Sequence, residues 1–236
     1  MRTITVSFPD GGDERLPLLV LLPGANMSAE DLHKLGFFHA VHSRGLRFDI
    51  TAVDPGFDGY LDDRIAVNLH EAIVEPALAR DVPGVWFAGI SIGGFGALRY
   101  AQSFRGQLAG TILLAPFLGS KGLIDQVTAA GGIRSWQPPA TCKATPQRSV
   151  LDWLSRLSAN DPFFQTVHMG YGIDDRFSAA HQLLAALLSE QRVLTLPGGH
   201  VESVWVALWG KMLEAGVLAL RDRHGLTVQA SSAPHA

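Results

Sequence analysis

The residues of this sequence that are best suited to chemistry are a serine, two adjacent aspartates and a histidine. Ser91 lies between glycines in the stretch GISIG, Asp174 and Asp175 are adjacent in GIDD, and His200 ends the turn PGGH. A serine hydroxyl is a weak nucleophile until a base takes its proton, and histidine, with an ordinary pKa of about 6.5, can do so near neutral pH. A carboxylate can orient and stabilise the charged histidine. Together these residue types predict nucleophilic catalysis.

The segment around Ser91 supports this hypothesis. An apolar strand is predicted over Val85–Ile90, and the helix after Ser91 begins almost entirely with small residues, Gly93, Gly94, Gly96 and Ala97. A serine on such a strand-to-helix turn is the nucleophile elbow pattern, in which small neighbours let other backbone approach closely. The helix N-terminus favours a developing negative charge beside the serine. Because the pentapeptide alone arises easily by chance, the rest of the chain must supply the other groups.

Strands and helices alternate along most of the chain, which predicts an α/β fold: a mostly parallel central sheet with helices on both faces. The pattern predicts helices over Ser28–Ser43, Asp62–Ala79 with a kink or break at Pro76, Phe177–Ser189 and Val201–Leu220, besides the helix after Ser91. The predicted strands are Arg2–Phe8, Leu16–Leu22, Phe48–Val53, Val85–Ile90, Gly110–Ala115, Gln165–Tyr171 and Arg192–Leu196.

Reactive groups of such a sheet collect where the carboxyl ends of the strands meet. Ser91 follows the strand Val85–Ile90, Asp174 and Asp175 follow Gln165–Tyr171, and His200 follows the last strand. The chain order Ser, Asp, His is the one expected of an α/β-hydrolase triad and differs from the orders of other serine hydrolase folds. Since Asp174 and Asp175 are adjacent, only one of them can face His200.

These motifs resemble those of the α/β-hydrolase family over nearly the whole chain. GISIGGFGAL is similar to the elbow of esterase-type members, GIDDRF to the acid loop, and PGGHVESVW to the histidine loop. The resemblance implies Ser91 as nucleophile, His200 as base and Asp175 as acid, with Asp174 as the alternative. The first loop departs from the family pattern, because Pro23 stands where a histidine commonly precedes the glycine; this leaves the backbone role of the loop intact.

Backbone N–H groups are expected to bind the oxyanion that forms when a serine attacks a carbonyl. The N–H of Ile92 is one such donor, and that of Ala25 or Asn26 is the other. One donor of this kind typically contributes about 3 kcal/mol to lowering the barrier. Asn26 could also offer its side-chain amide, although a turn-forming role after Gly24 is the simpler interpretation.

The regular alternation pauses over residues 117–164, where helices are predicted at Leu123–Ala130 and Gln147–Ser158. This excursion is either a cap or lid over the sheet edge or an ordinary connection with helices packed on the flank. Apolar residues in or beside it are predicted to bind substrate by walling a pocket above Ser91; equally, they could join the excursion to the domain. They are Phe117, Leu118, Trp136, Phe163 and Phe164.

Composition narrows the class of protein. The chain has 236 residues, is 47% hydrophobic and 17% charged, and carries a formal net charge of −3. These values predict one well-cored domain over residues 1–226, followed by a flexible tail at 227–236, and give no basic surface for nucleic acid or anionic membranes. No segment has the length of a signal peptide core or a membrane span, so a cytoplasmic location is expected. The single cysteine excludes internal disulfides, and neither metal nor cofactor is predicted.

The expected activity is hydrolysis of a carboxylic ester or thioester with a small-to-medium apolar acyl group, through an acyl-enzyme. The expected partner is therefore a small-molecule ester, and the sequence leaves the oligomeric state open. One alternative is the same triad used for peptide cleavage or perhydrolysis. A second is a non-catalytic member that binds a small ligand, which the retention of all three catalytic residue types disfavours.

Overall fold

The computed structural model describes residues 1–9, 15–139, 144–218, 220–221 and 227–228. Seven strands form one sheet; in chain order, β1 to β7 are Arg2–Val6, Leu18–Leu22, Asp49–Asp54, Val85–Ile90, Gly110–Leu114, Val167–Gly172 and Val193–Leu196. Their order across the sheet is β1-β3-β2-β4-β5-β6-β7. All neighbours pair in parallel except β1, which runs antiparallel to β3 at one edge. This confirms the predicted mostly parallel sheet.

The three central strands are the almost continuous apolar runs of the sequence. Every residue of β2, β4 and β5 is buried. By contrast, β1 alternates between exposed and half-buried residues at the edge. A strand covered on both faces is apolar at nearly every position, with Thr111 of β5 the polar exception in these three strands, whereas an edge strand open on one face alternates.

Ten α-helices accompany the sheet within the described part of the chain. In chain order, α1 to α10 are Ala29–Lys34, Phe37–His42, Phe57–Leu61, Ile65–Leu69, Glu75–Leu78, Ile92–Phe104, Lys121–Ala129, Pro146–Arg156, Ser178–Ala185 and Glu202–Glu214. Short 3₁₀ turns lie at Arg105–Gln107, Ile133–Ser135, Pro162–Gln165 and Glu190–Arg192.

Two glycines show that helices cover both faces of the sheet. A Cβ atom on Gly89 of β4 would meet the backbone of α6, while one on Gly170 of β6 would meet Leu208 and Met212 of α10. Gly89 pairs with Leu113 of β5, and Leu113 pairs with Met169 of β6, the residue before Gly170. Because successive residues of a strand face opposite sides of the sheet, a Cβ on Gly89 and one on Gly170 would lie on opposite faces. Helices α6 and α10 therefore pack on opposite faces, as predicted.

Four predicted helices differ from the observed ones; the simplest case is the helix expected over Phe177–Ser189, which ends four residues early as α9. The helix expected over Ser28–Ser43 is broken into α1 and α2 at Gly36, whose φ of +82° lies outside the helical region. The helix expected over Asp62–Ala79 begins at Ile65 and contains a π-helical turn, His70–Val74, between α4 and α5. This wide turn directly precedes Pro76, which has no N–H to donate to the preceding turn.

The fourth difference is at the end of the domain. The last long helix stops at Glu214 instead of Leu220, and Gly216 beyond it adopts a φ of +72°. A short antiparallel pair follows, β8 at Leu220–Arg221 with β9 at Thr227–Val228. Two residues of the predicted tail thus form β9; the predicted boundary at residue 226 and the tail residues 229–236 lie outside the described residues.

The excursion at residues 117–164 contains the two predicted helices, observed as α7 and α8. Helix α8 packs against α6, where the Gln102 amide donates to the carbonyl and hydroxyl of Ser149 at 3.1 and 3.0 Å. Helix α7 lies against α9. Apolar residues of both helices belong to the hydrophobic core, including Val127, Leu151 and Leu154. The excursion is thus packed on its flanking helices, while its action as a lid stays a prediction.

Candidate active site

Ser91 occupies a strained turn between β4 and α6. Its φ of +52° and ψ of −114° are rarely adopted by a residue with a side chain. The turn depends on Gly89 and Gly93, because a Cβ on Gly89 would lie 2.3 Å from the carbonyl oxygen of Gly93, and one on Gly93 would lie 2.2 Å from that of Leu22. Only glycine fits at these two positions, so the strained geometry is built into the local sequence.

The backbone of Ser91 is also held by its neighbours. Its N–H donates to the carbonyl of Leu114 at 2.9 Å, and its carbonyl accepts from the N–H groups of Phe95, at 3.2 Å, and Phe117, at 2.9 Å. Ser91 as a whole is 7% exposed and so is largely buried. The backbone of Ser91 is therefore held by β5, by α6 and by the loop after β5.

Three side chains from three loops form one hydrogen-bonded chain at the carboxyl ends of the strands. Oγ of Ser91 lies 3.0 Å from Nε2 of His200, and Nδ1 of His200 lies 2.7 Å from Oδ2 of Asp175. Oδ1 of Asp175 accepts from the N–H of Phe177 at 2.8 Å, which fixes the carboxylate. With Nδ1–H donating to Asp175, Nε2 is free to accept the serine proton.

The structure separates the two adjacent aspartates. Asp175 is 2% exposed and faces His200, whereas Asp174 is exposed and its Oδ2 accepts from the N–H of Gly198 at 3.0 Å. Asp174 thus ties the acid loop to the histidine loop through the backbone. Of the two residues, only Asp175 is placed to orient the imidazole.

The carboxylate of Asp175 is ionised despite its burial. Burial by itself would raise its pKa, but hydrogen bonds from the His200 ring and the Phe177 N–H, together with the nearby His181 and His200 rings, bring the pKa below the ordinary value. An ionised carboxylate beside Nδ1 can stabilise the positive charge that His200 gains when it takes a proton.

Two aromatic rings enclose His200. The ring of Phe177 lies 5.0 Å away, centroid to centroid, and that of Trp205 lies 4.9 Å away, both nearly perpendicular to the imidazole at 87° and 80°. Phe177 follows the acid loop and Trp205 lies in the first turn of α10. Both residues end motifs that resemble the family loops, GIDDRF and PGGHVESVW, but the contact of Phe177 with His200 was not predicted.

A second histidine lies behind the acid, which the sequence pattern did not reveal. His181 of α9 is fully buried, its ring lies 5.0 Å from that of Tyr171, and it interacts electrostatically with Asp175. The backbone of Ala115 and Pro116 lies close to the ring, although neither ring nitrogen makes a well-aligned hydrogen bond to a described residue. Burial lowers its pKa to about 4, outweighing the attraction of Asp175, so His181 is neutral at pH 7.

Free backbone donors surround the serine. Ile92 is the first residue of α6 and is 2% exposed, yet no described residue accepts a hydrogen bond from its N–H. The same holds for the N–H groups of Ala25 and Asn26 in the β2 loop, residues 23–27. This loop follows β2, which pairs with β4, and its start packs against Gly93 beside the serine. The N–H of Ile92, at the buried start of a helix, is thus open to an acceptor on a ligand. Ala25 and Asn26 are exposed residues, so their N–H groups are open to solvent as well as to a ligand.

The apolar residues predicted to wall a pocket divide into two groups. Phe117 is half-buried, and its ring lies 5.8 Å from that of Phe177, next to His200. The other four are at most 6% exposed and belong to the hydrophobic core; they are Leu118, Trp136, Phe163 and Phe164. The structure buries these four residues, and the ring contacts of Phe163 and Phe164 are with each other and with Trp153 and Arg134 of the excursion. A role in binding substrate stays a prediction for them.

Three further observations concern a cavity, metal-binding groups and membrane spans. A cavity of about 470 Å³ lies between α7 and α9, lined by residues such as Thr128, Arg134 and Gln182, and contains none of the three hydrogen-bonded residues. Among the described residues, no group of three histidine, cysteine, aspartate or glutamate side chains is arranged to hold a metal ion. None of the helices in the described part has both the length and the apolar character needed to cross a bilayer.

Comparison with solved structures identifies the fold. No family model matches the sequence, and no curated protein matches it either. The chain is similar to Est1E from Butyrivibrio proteoclasticus, with a TM-score of 0.61, 16% identity and 92% of each chain covered. It is also similar to the fluorophosphonate-binding serine hydrolase FphF of Staphylococcus aureus, with a TM-score of 0.60, 13% identity and 91% of each chain covered.

A third similar structure is an S-formylglutathione hydrolase from Agrobacterium tumefaciens. The TM-score is 0.59 and the identity 14%, over 92% of this chain and 88% of that one. At such identities the similarity establishes the architecture and leaves the activity to be argued from the site. The strand order, the serine elbow and these neighbours together show that this chain has the α/β-hydrolase fold.

Proposed function

We propose that this protein is a serine hydrolase that cleaves a carboxylic ester or thioester through an acyl-enzyme. The observation that carries the proposal is the continuous chain of contacts from Ser91 Oγ to His200 Nε2, at 3.0 Å, and from His200 Nδ1 to Asp175 Oδ2, at 2.7 Å. These distances are within hydrogen-bond reach, as nucleophile, base and orienting acid require. Ser91 is the nucleophile, His200 the base and Asp175 the acid.

The reaction follows from these positions. Ser91 Oγ attacks the acyl carbon while its proton passes to His200 Nε2, and the carbonyl oxygen becomes an oxyanion. The N–H of Ile92 and that of Ala25 or Asn26 donate to this oxygen. The tetrahedral intermediate then collapses, and the leaving alcohol or thiol takes the proton from His200. Water, activated by the same histidine, attacks the acyl-serine and releases the acid.

The acyl group that the site favours is apolar. Phe117 and Phe177 contact each other beside His200, and their rings offer an apolar wall to the acyl part of a substrate. The structural neighbours support this class: Est1E has been solved with ferulic acid bound, and another neighbour is named as an S-formylglutathione hydrolase. We therefore extend the proposal to small-to-medium acyl groups, including aryl ones, on oxygen or sulfur.

The test is hydrolysis of a nitrophenyl ester series from acetyl to dodecanoyl, with a cinnamoyl ester and one acyl thioester alongside. We expect turnover with kcat/KM highest at short or medium acyl length, and its abolition in Ser91→Ala. Absence of turnover on every ester and thioester would refute the proposal. If a fluorophosphonate still labelled Ser91 in that case, the remaining functions would be peptide cleavage or perhydrolysis. If it did not, the remaining function would be the binding of a small ligand without catalysis.

A further inference from the structure

We propose that Tyr60 is a positioning residue that holds the β2 loop, and with it the oxyanion donors, against the nucleophile helix α6. The inference rests on the proposed function, because it concerns the donors that would bind the oxyanion. Tyr60 lies on the short helix α3, far in sequence from both the loop and Ser91. It does not touch the reacting atoms, so its effect is through the backbone of the loop.

Tyr60 makes contacts with both of the elements that it joins. Its hydroxyl donates to the carbonyl oxygen of Pro23, the first residue of the β2 loop, at 3.0 Å. Its ring packs against α6 at Gly96, where an added Cβ would be 2.6 Å from Cδ1 of Tyr60. The side chain is 1% exposed, so this contact is shielded from water. Helix α6 accepts the ring only because residue 96 is glycine.

The hydroxyl of Tyr60 is a permanent donor. Burial raises its pKa well above the ordinary value for tyrosine, and Asp54 nearby raises it further. The hydroxyl therefore keeps its proton throughout the pH range in which an ester hydrolase works. The carbonyl of Pro23 accepts this hydrogen bond in a buried setting, where an acceptor without a donor would be costly.

The anchored Pro23 carbonyl fixes the start of the turn that carries the donors. A trans peptide unit is planar, so fixing the Pro23 carbonyl fixes the plane that leads into Gly24. The carbonyl of Gly24 in turn accepts from the N–H of Met27 at 3.2 Å, which closes the loop as a turn, and Asn26 takes a φ of +60° inside it. The N–H of Ala25, on the same peptide unit as the Gly24 carbonyl, must then point away from Met27.

Tyr60→Phe removes the hydroxyl and leaves the ring against Gly96, so it tests the hydrogen bond to Pro23 alone. We expect kcat on the best nitrophenyl ester to fall about 10- to 100-fold, because a misplacement of about 1 Å at a reacting group can cost that much. KM should stay within about twofold of wild type, since the donors act on the transition state and not on the bound ester.

A matched control separates this effect from a general loss of stability. Tyr100 of α6 is fully buried, and its hydroxyl is 3.0 Å from Nδ1 of His70, away from the β2 loop. Tyr100→Phe removes one buried hydroxyl from α6, the helix that Tyr60 packs against. We expect it to lower the midpoint of thermal unfolding by a similar amount and to leave kcat within about twofold of wild type.

Turnover by the wild type tests the proposed function and is measured first. The variants are then compared with the wild type, so their results test only the role of Tyr60. A fall in kcat of fivefold or more in Tyr60→Phe, absent from Tyr100→Phe, supports it. A smaller fall, a loss mainly in KM, or an equal fall in the control overturns it. If Tyr60→Phe does not fold, Gly96→Ala tests the same contact, because the new methyl group displaces the ring of Tyr60; an unchanged kcat there overturns the inference as well.

Discussion

Acidification from pH 7 to pH 5 should destabilise this protein through His181, the buried histidine behind the acid. Its pKa is lowered to about 4, mainly by burial, against an ordinary value of about 6.5. Between these two values the unfolded chain binds a proton at His181 that the native protein does not. Stability therefore falls as the pH falls through this window, because the unfolded state binds more protons.

The size of the effect follows from the shift. The pH of 5 lies about 1.5 units below the pKa of His181 in the unfolded chain. At about 1.36 kcal/mol per unit, the free energy of unfolding is therefore lower by about 2 kcal/mol at this pH. By pH 4 the cost approaches about 3 kcal/mol. His168 of β6, whose pKa burial and the neighbouring Arg192 lower to about 4, adds to the loss in the same window.

The carboxylate of Asp175 contributes little to the change in unfolding free energy between pH 7 and pH 5. Its pKa is lowered on folding, so its contribution is fully present above the ordinary carboxyl pKa near 4 and is lost only as the pH falls further. Asp175 therefore contributes little to the difference in stability between pH 7 and pH 5. The acid begins to matter only below that range.

The assay is urea unfolding at pH 7 and pH 5 of the wild type, of His181→Asn and of His39→Asn, the last being an exposed control on α2. The free energy of unfolding of His181→Asn should be lower at pH 7 but should fall by about 2 kcal/mol less between the two pH values than that of the wild type. His39→Asn should keep the wild-type pH dependence. An equal pH dependence in His181→Asn and wild type would refute the reasoning.

Two further predictions use matched pairs of substitutions. Asp175→Asn should lower kcat/KM on the best ester about 10⁴-fold, because His200 loses the carboxylate that orients it, whereas Asp174→Asn should cost less than about tenfold; equal losses would leave the acid unassigned. Gly89→Ala should cost at least about 3 kcal/mol in urea unfolding, because its Cβ meets the α6 backbone, whereas Gly106→Ala, with open space around it, should stay within about 0.5 kcal/mol. Equal costs for the two glycine substitutions would contradict the account of the elbow.

The fold was largely predictable because its signals are local. The buried strands β2, β4 and β5 are almost continuous apolar runs, and loops with reactive residues follow the strand ends. Helix breaks were harder to predict. The breaks at Gly36 and at Gly216, just beyond the last helix, depend on φ values of +82° and +72°, which glycine permits without requiring.

The candidate site was predictable to the extent that its residues follow strands in order. Ser91, Asp175 and His200 come together as their loops predict, but the sequence could not choose between adjacent aspartates by physical reasoning alone. The choice depends on which carboxylate is buried. His181 and Tyr60 were missed because each lies on a helix and contacts residues far away in the sequence, which no sequence spacing signals.

The most direct test of the central claim is covalent labelling of Ser91 by a fluorophosphonate, located by mass spectrometry of the digested protein. The account predicts one label, on Ser91, with a labelling rate that falls at least about 100-fold in His200→Ala, because the serine needs the histidine as its base. No label on Ser91, or a labelling rate unchanged in His200→Ala, would contradict the claim that Ser91 is an activated nucleophile.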